Sequence, residues 1–553
     1  MLGGNIKKKV SLFLLISAAG IVYVLSLDTD KFGFYHDDGM YVVSAKALAT
    51  GHGYRVISLP SEPLQTKYPP LYPAALSLLW RVAPEFPANL YWLMALSAAC
   101  TLAFLFLSLL YFVRRGYANQ WHALAAVCLA AFNWRTVSLA TSTLSEAMNA
   151  ALSIAALWMA ERSLEREGNI LSKVLLGIVM ASAALTRASG IALVVAFLLH
   201  GLIRRQVRRA WLPAFVAGLI FLSWMLWVGA HQPSTIPREY GSQYAAYLED
   251  LKQAIDDASG YRLIPASLAS IAGRNLWALL VSIPAVCLNA DSNWYEGMNA
   301  LLMTAWIVVG SVCLALIAIG FLRHARERLK LFHCYALAYL SLHLVWPYSL
   351  FDRFLFPLLP FLLLLLLGEA VLLARTLTLD PRRSDRFFPQ VAAGVVGLLL
   401  MLGAGAVWYR STLGLYAYVQ SSKARFAILA AEEDHIFSFI RANTAPQDIL
   451  ICYRDPVYYL RTGRRAVRLP TPAASDGSGA EPDRLLQFAS AFGARYLIRS
   501  PADFDQDPQP AVGQENLRRL MGQRPENFVL MFKSSTGRFA VYRIQERSGG
   551  NVR

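Results

Sequence analysis

The chain is short of charge. Only 16% of its 553 residues are charged, whereas 56% are hydrophobic, and the mean hydropathy is +0.40. That balance excludes a soluble globular protein of this length. Cysteine is scarce too: of six, Cys100, Cys128, Cys287, Cys313 and Cys334 lie in or near apolar blocks, and Cys452 follows a strand-like DILI. No CxxC or other metal-ligand spacing occurs among them, which removes a metal-site reading of the cysteines. There is no N-x-S/T sequon, in agreement with a bacterial source, and no repeat of solenoid period.

What is abundant is apolar sequence in blocks, each long enough for the roughly 20 residues a bilayer core requires. Lys7, Lys8 and Lys9 precede a run from Val10 to Leu27 that is longer than a signal-peptide core and lacks a clear cleavage site, so a retained first span is expected. Further spans are read near 89–113, 120–140, 145–161, 170–186, 188–203, 210–230, 298–322, 331–347, 354–375 and 390–409, about eleven with the first. The net charge of +16 could suggest a nucleic-acid partner, but the basic residues sit in short loops between the blocks. With the N-terminus in the cytoplasm, RRG at 114–116, ERSLEREG at 161–168, RRQVRR at 204–209, RHARERLK at 323–330 and the region around 380–383 all face inside. The positive-inside rule therefore accounts for the charge, and no nucleic-acid partner is expected. The segment 276–288, LWALLVSIPAVCL, is short and interrupted by Pro284; it is read as interfacial or re-entrant.

Three polar regions then face outside: a loop near 28–88, a second near 231–298, and everything after about Ser411. The last reads as a soluble α/β domain. EEDHIFSFIRANT and DRLLQFASAFG have helical spacing, the latter stopping at Gly493; DILICY and RYLIRS read as strands, and NFVLMFKSSTGRFAVYRI as a closing hairpin. The expected organisation is a polytopic α-helical membrane part over 1–410 and an extracytoplasmic α/β domain over 411–553.

Chemistry concentrates at the outer edges of the blocks. In FYHDDGMYVVSAKALATGHGY, Asp37 and Asp38 open a segment of helix-forming composition that GHG at 51–53 stops. One of the pair can cap the helix while its neighbour, about 100° around the axis, projects elsewhere. Adjacent carboxylates at a low-dielectric boundary raise the pKa of one of them, which suits a general base for a hydroxyl. In TKYPPLYPAALSLLW, the prolines favour an extended Lys67–Tyr68 pair before a helix start, where Lys67 can meet a phosphate or simply snorkel. Glu146 and Arg187 lie at outer block ends, and Arg353 stands beside Asp352 as either a local ion pair or a functional cation. Charged groups at membrane depth are costly and point to function. A base on one side and a phosphate clamp on the other make a transferase layout.

HDDGMYVVSAKALATGHGY, KYPPLYP, LSEA, LTRASG and DRFLFPLLPF occur in this order. Together they resemble the GT-C glycosyltransferases of the protein O-mannosyltransferase and aminoarabinose (lipid A) transferase group, across roughly residues 1–410. The resemblance implies the GT-C fold and inverting transfer, in one displacement outside the cytoplasm, of a sugar from a polyprenyl-phosphate donor to an acceptor hydroxyl or similar group. It carries the family's acidic pair onto Asp37 and Asp38, with Asp37 as base, and its lysine onto Lys67. Tyr68 here intervenes before the prolines, where lysine-proline-proline is commoner. Arg187 and Arg353 match basic positions, and donor contacts are also assigned to Tyr68, Glu146, Arg274 and Tyr348.

The implied partners are the lipid-linked donor, an envelope lipid, glycan or protein acceptor, and the lipids of a bacterial inner membrane. No cofactor is required: lysine and arginine can stabilise a lipid monophosphate, and the acidic residues are adjacent rather than spaced, so a divalent metal is not predicted, though not excluded. A transporter of a lipid-linked sugar is the alternative from another class, but related halves and broken mid-membrane helices are not visible. Nothing in the C-terminal region looks catalytic; Asp455, Tyr458 and Tyr459 in YRDPVYYLRTGR read as turn and packing residues.

Overall fold

The computed structural model describes residues 2–166, 168–232, 264–290, 300–346, 352–378, 427–469, 481–501 and 521–545, with single positions 252, 405 and 517. Its helical part comprises α1 Leu2–Leu25, α2 His36–Ala49, α3 Leu71–Val82, α4 Leu90–Arg114, α5 Gln120–Ala131, α6 Trp134–Ala140, α7 Glu146–Glu165, α8 Ile170–Thr186, α9 Ala192–Ile203, α10 Val207–Ala230, α11 Ile264–Cys287, α12 Ala300–Arg328, α13 Leu331–Leu344 and α14 Leu359–Thr378. Asparagine starts three of them. The side chains of Asn119, Asn133 and Asn169 accept backbone N–H groups of the first turns of α5, α6 and α8, satisfying donors that helix geometry leaves unpaired.

The chain is a multi-pass helical membrane protein, but the count of eleven spans is not reached. Among the described residues five helices are long and apolar enough to cross, or six if α5 and α6, bent by 64°, form one span. Helices stand at every other expected position, yet Val10–Leu25, Ile170–Thr186, Ala188–Ile203 and Leu331–Leu344 are short. The reason at α8 and α9 is local: a 3₁₀ turn over Ala188–Ile191 separates them and removes length from both. The expected span at 390–409 lies outside the described residues.

Segment 276–288 belongs to a longer helix than expected, because α11 begins at Ile264 and runs through Pro284. By length and composition Leu268–Cys287 could cross. Its polar contacts nevertheless keep to one end of the bundle. Asn275 donates to the carbonyls of His343, Leu344 and Trp346 at the end of α13, and the Val286 carbonyl accepts from Asn133 at the α5–α6 bend.

The other end of the bundle gathers the basic loops. Arg115 pairs with Glu165 at 2.6 Å and with Glu161 at 3.6 Å, and Lys330 Nζ donates to the Arg115 carbonyl at 2.9 Å. Arg204 donates to the Leu329 carbonyl and Arg209 to that of Leu164. Four of the five expected inside loops thus meet one another, which is the clustering that positive-inside topology requires; the fifth lies outside the described residues.

After the membrane part, a helix over 427–443 (α15) leads into β1 Ile449–Cys452, α16 Asp455–Thr462, β2 Ala466–Arg468, α17 Glu481–Phe492, β3 Ala494–Arg499, β4 Phe528–Lys533 and β5 Ala540–Ile544. The sheet order is β2-β1-β3-β5-β4; β1 pairs in parallel with β2 and β3, and β5 runs antiparallel to β3 and β4. The small α/β fold and closing hairpin read from the sequence are therefore present. Glycines in left-handed backbone, Gly463 and Gly493, follow α16 and α17. The sheet rests on the first loop: Ala466 N donates to the Ser58 carbonyl at 2.9 Å, and Arg465 donates to that of Pro60 at 2.8 Å.

The motif glycine of LTRASG has a packing reason. A Cβ on Gly190 would stand 2.4 Å from the Ala183 carbonyl carbon and 2.5 Å from its oxygen, backbone atoms that cannot yield separately. The turn that presents Arg187 is built on this close approach, with Gly190 N donating to the Arg187 carbonyl at 2.8 Å. Gly190→Ala is expected to destabilise the protein by about 1–3 kcal/mol through overpacking, read as a lower Tm in detergent.

Candidate active site

The site is built on the first turn of α2. Tyr35 starts the helix from an extended conformation without a side-chain cap, so the exposed N–H groups and positive end of the dipole face acids within the turn. Asp38 turns inward: it is buried, and its two oxygens accept from Gly33 N at 2.9 Å and Gly39 N at 2.6 Å. Its neighbour Asp37 projects elsewhere and keeps 24% of its side chain exposed. One acid of the pair holds backbone and the other is presented, as the helical spacing allows.

Asp37 is held from two sides. Tyr68 Oη donates to Oδ1 at 2.6 Å, and Arg353 Nη2 donates to Oδ2 at 2.8 Å. Arg353 continues to Glu146, with Nε 3.6 Å from Oε1, and the same oxygen lies 3.1 Å from Arg187 Nη1. Tyr41 closes the group, its hydroxyl 2.8 Å from Ser145 Oγ and its ring 4.8 Å from that of Tyr68. Aromatic faces line the cations: Arg187 lies 5.0 Å from the Phe354 ring centre and Arg353 5.5 Å from that of Tyr35. Glu146 is buried, so its two arginines are the match that a charge at this depth demands.

Five predicted residues, Asp37, Tyr68, Glu146, Arg187 and Arg353, thus form one network, with Asp38 behind it. Lys67 is buried beside Tyr68, in the extended stretch before α3. Its backbone N–H donates to Gln65 Oε1 at 3.1 Å, and Gln65 Nε2 donates to Ser44 of α2 at 3.1 Å. Arg274 is exposed on α11, where its Nε lies 3.4 Å from its neighbour Asn275 Oδ1. Tyr348 lies outside the described residues.

The local Arg353–Asp352 pair weighed for the sequence does not form. Asp352 is instead paired with Arg135, which also donates to Tyr35 Oη at 3.2 Å. Arg135 was legible in principle, since it is a cation inside a block read as a span. The break at Asn133 that brings it to this end was not. His36 was missed as well: its Nε2 stands 2.9 Å from Oδ1 of Asp455 in the C-terminal region. No group of three His, Cys, Asp or Glu residues among the described ones is arranged to hold a metal ion.

Burial pushes the Asp37 carboxyl up, but the Arg353 guanidinium, the Tyr68 hydroxyl and Arg187 outweigh it and hold the group well below the usual carboxylate range. Burial raises Asp38 to about 7, against the hydrogen bonds from Gly33 and Gly39 and the nearby Arg454, and with Asp37 adding to the rise. The two acids are therefore split: one ionised and presented, one retaining its proton towards neutrality.

No protein-family model and no curated protein matches the sequence. Solved structures do match over the whole chain. ArnT from Cupriavidus metallidurans bound to undecaprenyl phosphate aligns with a TM-score of 0.52 at 14% identity, covering 98% of this chain and 99% of its own. Archaeal oligosaccharyltransferase AglB from Archaeoglobus fulgidus, in complex with an inhibitory peptide and a dolichol-phosphate, aligns with a TM-score of 0.55 at 14% identity, covering 98% of this chain and 75% of its own. Both are GT-C glycosyltransferases, and the fold of this chain is the GT-C fold.

The acid pair gives stability a defined pH dependence. Unfolded aspartate ionises near 4, whereas Asp38 in the fold ionises near 7. Between those values the folded state keeps a proton that the unfolded state has released, so stability falls as pH rises from about 4 to about 7 and then levels. Asp37 has the opposite sign: its contribution is present above the unfolded value and lost only in stronger acid. Tm in detergent is expected to fall between about pH 4 and pH 7, and Asp38→Asn, which cannot ionise, is expected to flatten that slope.

Proposed function

We propose that the protein is an inverting glycosyltransferase. It moves a sugar from a polyprenyl-phosphate donor to an acceptor hydroxyl on the extracytoplasmic side of a bacterial inner membrane, with its N-terminus in the cytoplasm. The observation that carries the reading is the Asp37 carboxylate held between Tyr68 and Arg353, with Arg187 joined to the same network through Glu146. The shared fold supports a lipid-phosphate ligand, since ArnT is bound to undecaprenyl phosphate and AglB is in complex with a dolichol-phosphate.

In this reading the acceptor oxygen attacks the anomeric carbon from the side opposite the phosphate. Asp37 takes the acceptor proton, the bond between that carbon and the phosphate oxygen breaks, and the phosphate leaves with the bonding pair. Lys67, Arg187 and Arg353 receive the developing charge, as cations with several N–H donors can without a metal. Arg353 also gives the phosphate a way to prepare the base. When the phosphate takes a hydrogen bond from this guanidinium, Asp37 loses one of the two donors that hold its acidity high, and its affinity for a proton rises.

The test uses purified protein in detergent with a panel of short polyprenyl-phosphate sugars and a crude envelope acceptor fraction, following release of free polyprenyl phosphate. Wild type is expected to release it with at least one sugar, and Asp37→Asn to lower the rate by at least about a hundredfold, the scale of a lost general base. Lys67→Ala is expected to lower it at least about tenfold through lost phosphate contact. Binding without release across the whole panel overturns the transferase and favours transport. Release that survives Asp37→Asn moves the base to another residue.

A further inference from the structure

The C-terminal sheet sends one short segment into the junction that carries Asp37. At the start of α16, its cap Arg454 and its first residues Asp455, Pro456 and Val457 close on the first turn of α2 and the loop before it. Asp455 is completely buried, and its Oδ1 stands 2.9 Å from His36 Nε2, on the residue preceding Asp37. Arg454 donates to the Phe32 carbonyl and, at 2.7 Å, to Glu433 Oε2 of α15. Pro456 lies against Gly39, where a Cβ would come within 2.8 Å of the proline Cβ. Val457 lies against Gly33, whose left-handed backbone leaves a position 2.3 Å from the valine methyl for any Cβ. Gly33 and Gly39 are also the donors to Asp38. Four successive residues thus grip residues 32–39 at four points.

A sheet that only covered the membrane part could do so with apolar contacts. A buried carboxylate facing an imidazole is costly unless its geometry is well matched, and this one lies one residue from the presented acid. A helix turn held on both sides of Asp37 cannot rotate about its axis, and a reacting group misplaced by about 1 Å loses about a hundredfold in rate.

We propose that Asp455 and His36 form a positioning pair for Asp37, so that the C-terminal segment Arg454–Val457 is part of the transfer machinery. The pair fixes the direction of the Asp37 carboxylate toward the acceptor. The inference rests on the glycosyl-transfer reading above.

The test compares full-length wild type with Asp455→Asn, His36→Gln, the double variant and Arg465→Ala, using the polyprenyl-phosphate sugar that wild type turns over. Arg465 serves as a control because it holds Pro60 and Glu62 at another part of the same interface. Each variant of the pair is expected to lower kcat by about tenfold to a hundredfold, with donor KM and polyprenyl-phosphate binding within about twofold of wild type. The double variant is expected to be no slower than the slower single one, as for groups acting as a unit. Arg465→Ala is expected to lower Tm and keep kcat. Pair variants that lower Tm but keep wild-type kcat, or whose losses in kcat simply multiply, overturn the proposal. Should Asp455→Asn fail to fold, His36→Gln carries the same comparison from the α2 side. Wild type that binds polyprenyl phosphate and turns over no sugar overturns the transferase reading, and the positioning role with it.

Discussion

The site depends on one constraint: charges at the edge of a bilayer must be matched where they stand. Glu146 is buried, and Arg187 and Arg353 reach it at 3.1 and 3.6 Å, the match that a charge placed there requires. Arg353 in turn is shared with Asp37, and through Tyr68 Asp37 is tied to the stretch that bears Lys67. The elements that supply these groups, α2, the stretch before α3, the N-terminus of α7, the turn after α8 and the turn before α14, are therefore held together by electrostatics as much as by packing. The 64° bend between α5 and α6 belongs to the same economy, since it lets Arg135 neutralise Asp352 and so leaves Arg353 to Asp37.

The individual groups of the network were legible in the sequence because each charge stands at the edge of an apolar block, where a charge is costly without a purpose. Their pairing was not. Asp37 and Arg353 are 316 residues apart, Arg135 and Asp352 are 217, and His36 and Asp455 are 419. No local pattern encodes such separations, so for Arg353 a local pair with Asp352 and a functional role both stayed open in the sequence. The division of labour within the acid pair was half legible. Helical spacing requires that the two side chains diverge, but which one meets Gly33 depends on a left-handed turn in the preceding loop.

The same limit applies to the C-terminal region. Its strands and helices follow from alternation, helical spacing and turn glycines, all short-range signals. The role of Tyr453–Val457 is invisible at that range, because DP at the start of a short helix is an ordinary capping pattern. Asp455 reads as a helix-start acid until the first loop is brought against it. Gly33 and Gly39 show the matching half of the interface: each is glycine where a Cβ would strike Val457 or Pro456. A glycine inside a helix normally costs stability, so Gly39 is explained by the surface pressed on it rather than by the helix it interrupts.

A site that carries its own counterions can bind an anion only by exchanging partners. In the proposed transferase, a phosphate arriving beside Lys67, Arg187 and Arg353 would compete with Asp37 and Glu146 for the same guanidinium groups, so part of its attraction would go into displacing carboxylates. That exchange favours ligands with several oxygens over those with one, because a phosphate can satisfy two cations at once where a carboxylate oxygen satisfies them in turn. It also couples binding to chemistry. In the proposed reaction the carboxylate released from Arg353 is Asp37, and its loss of a donor would make it a better proton acceptor with the leaving group in place. Asp38, whose ionisation burial delays towards neutrality, carries less negative charge near neutral pH than a free aspartate. The acid constants of the two neighbours are thus set apart by the partners each one meets, the backbone amides of Gly33 and Gly39 for one and a tyrosine and an arginine for the other.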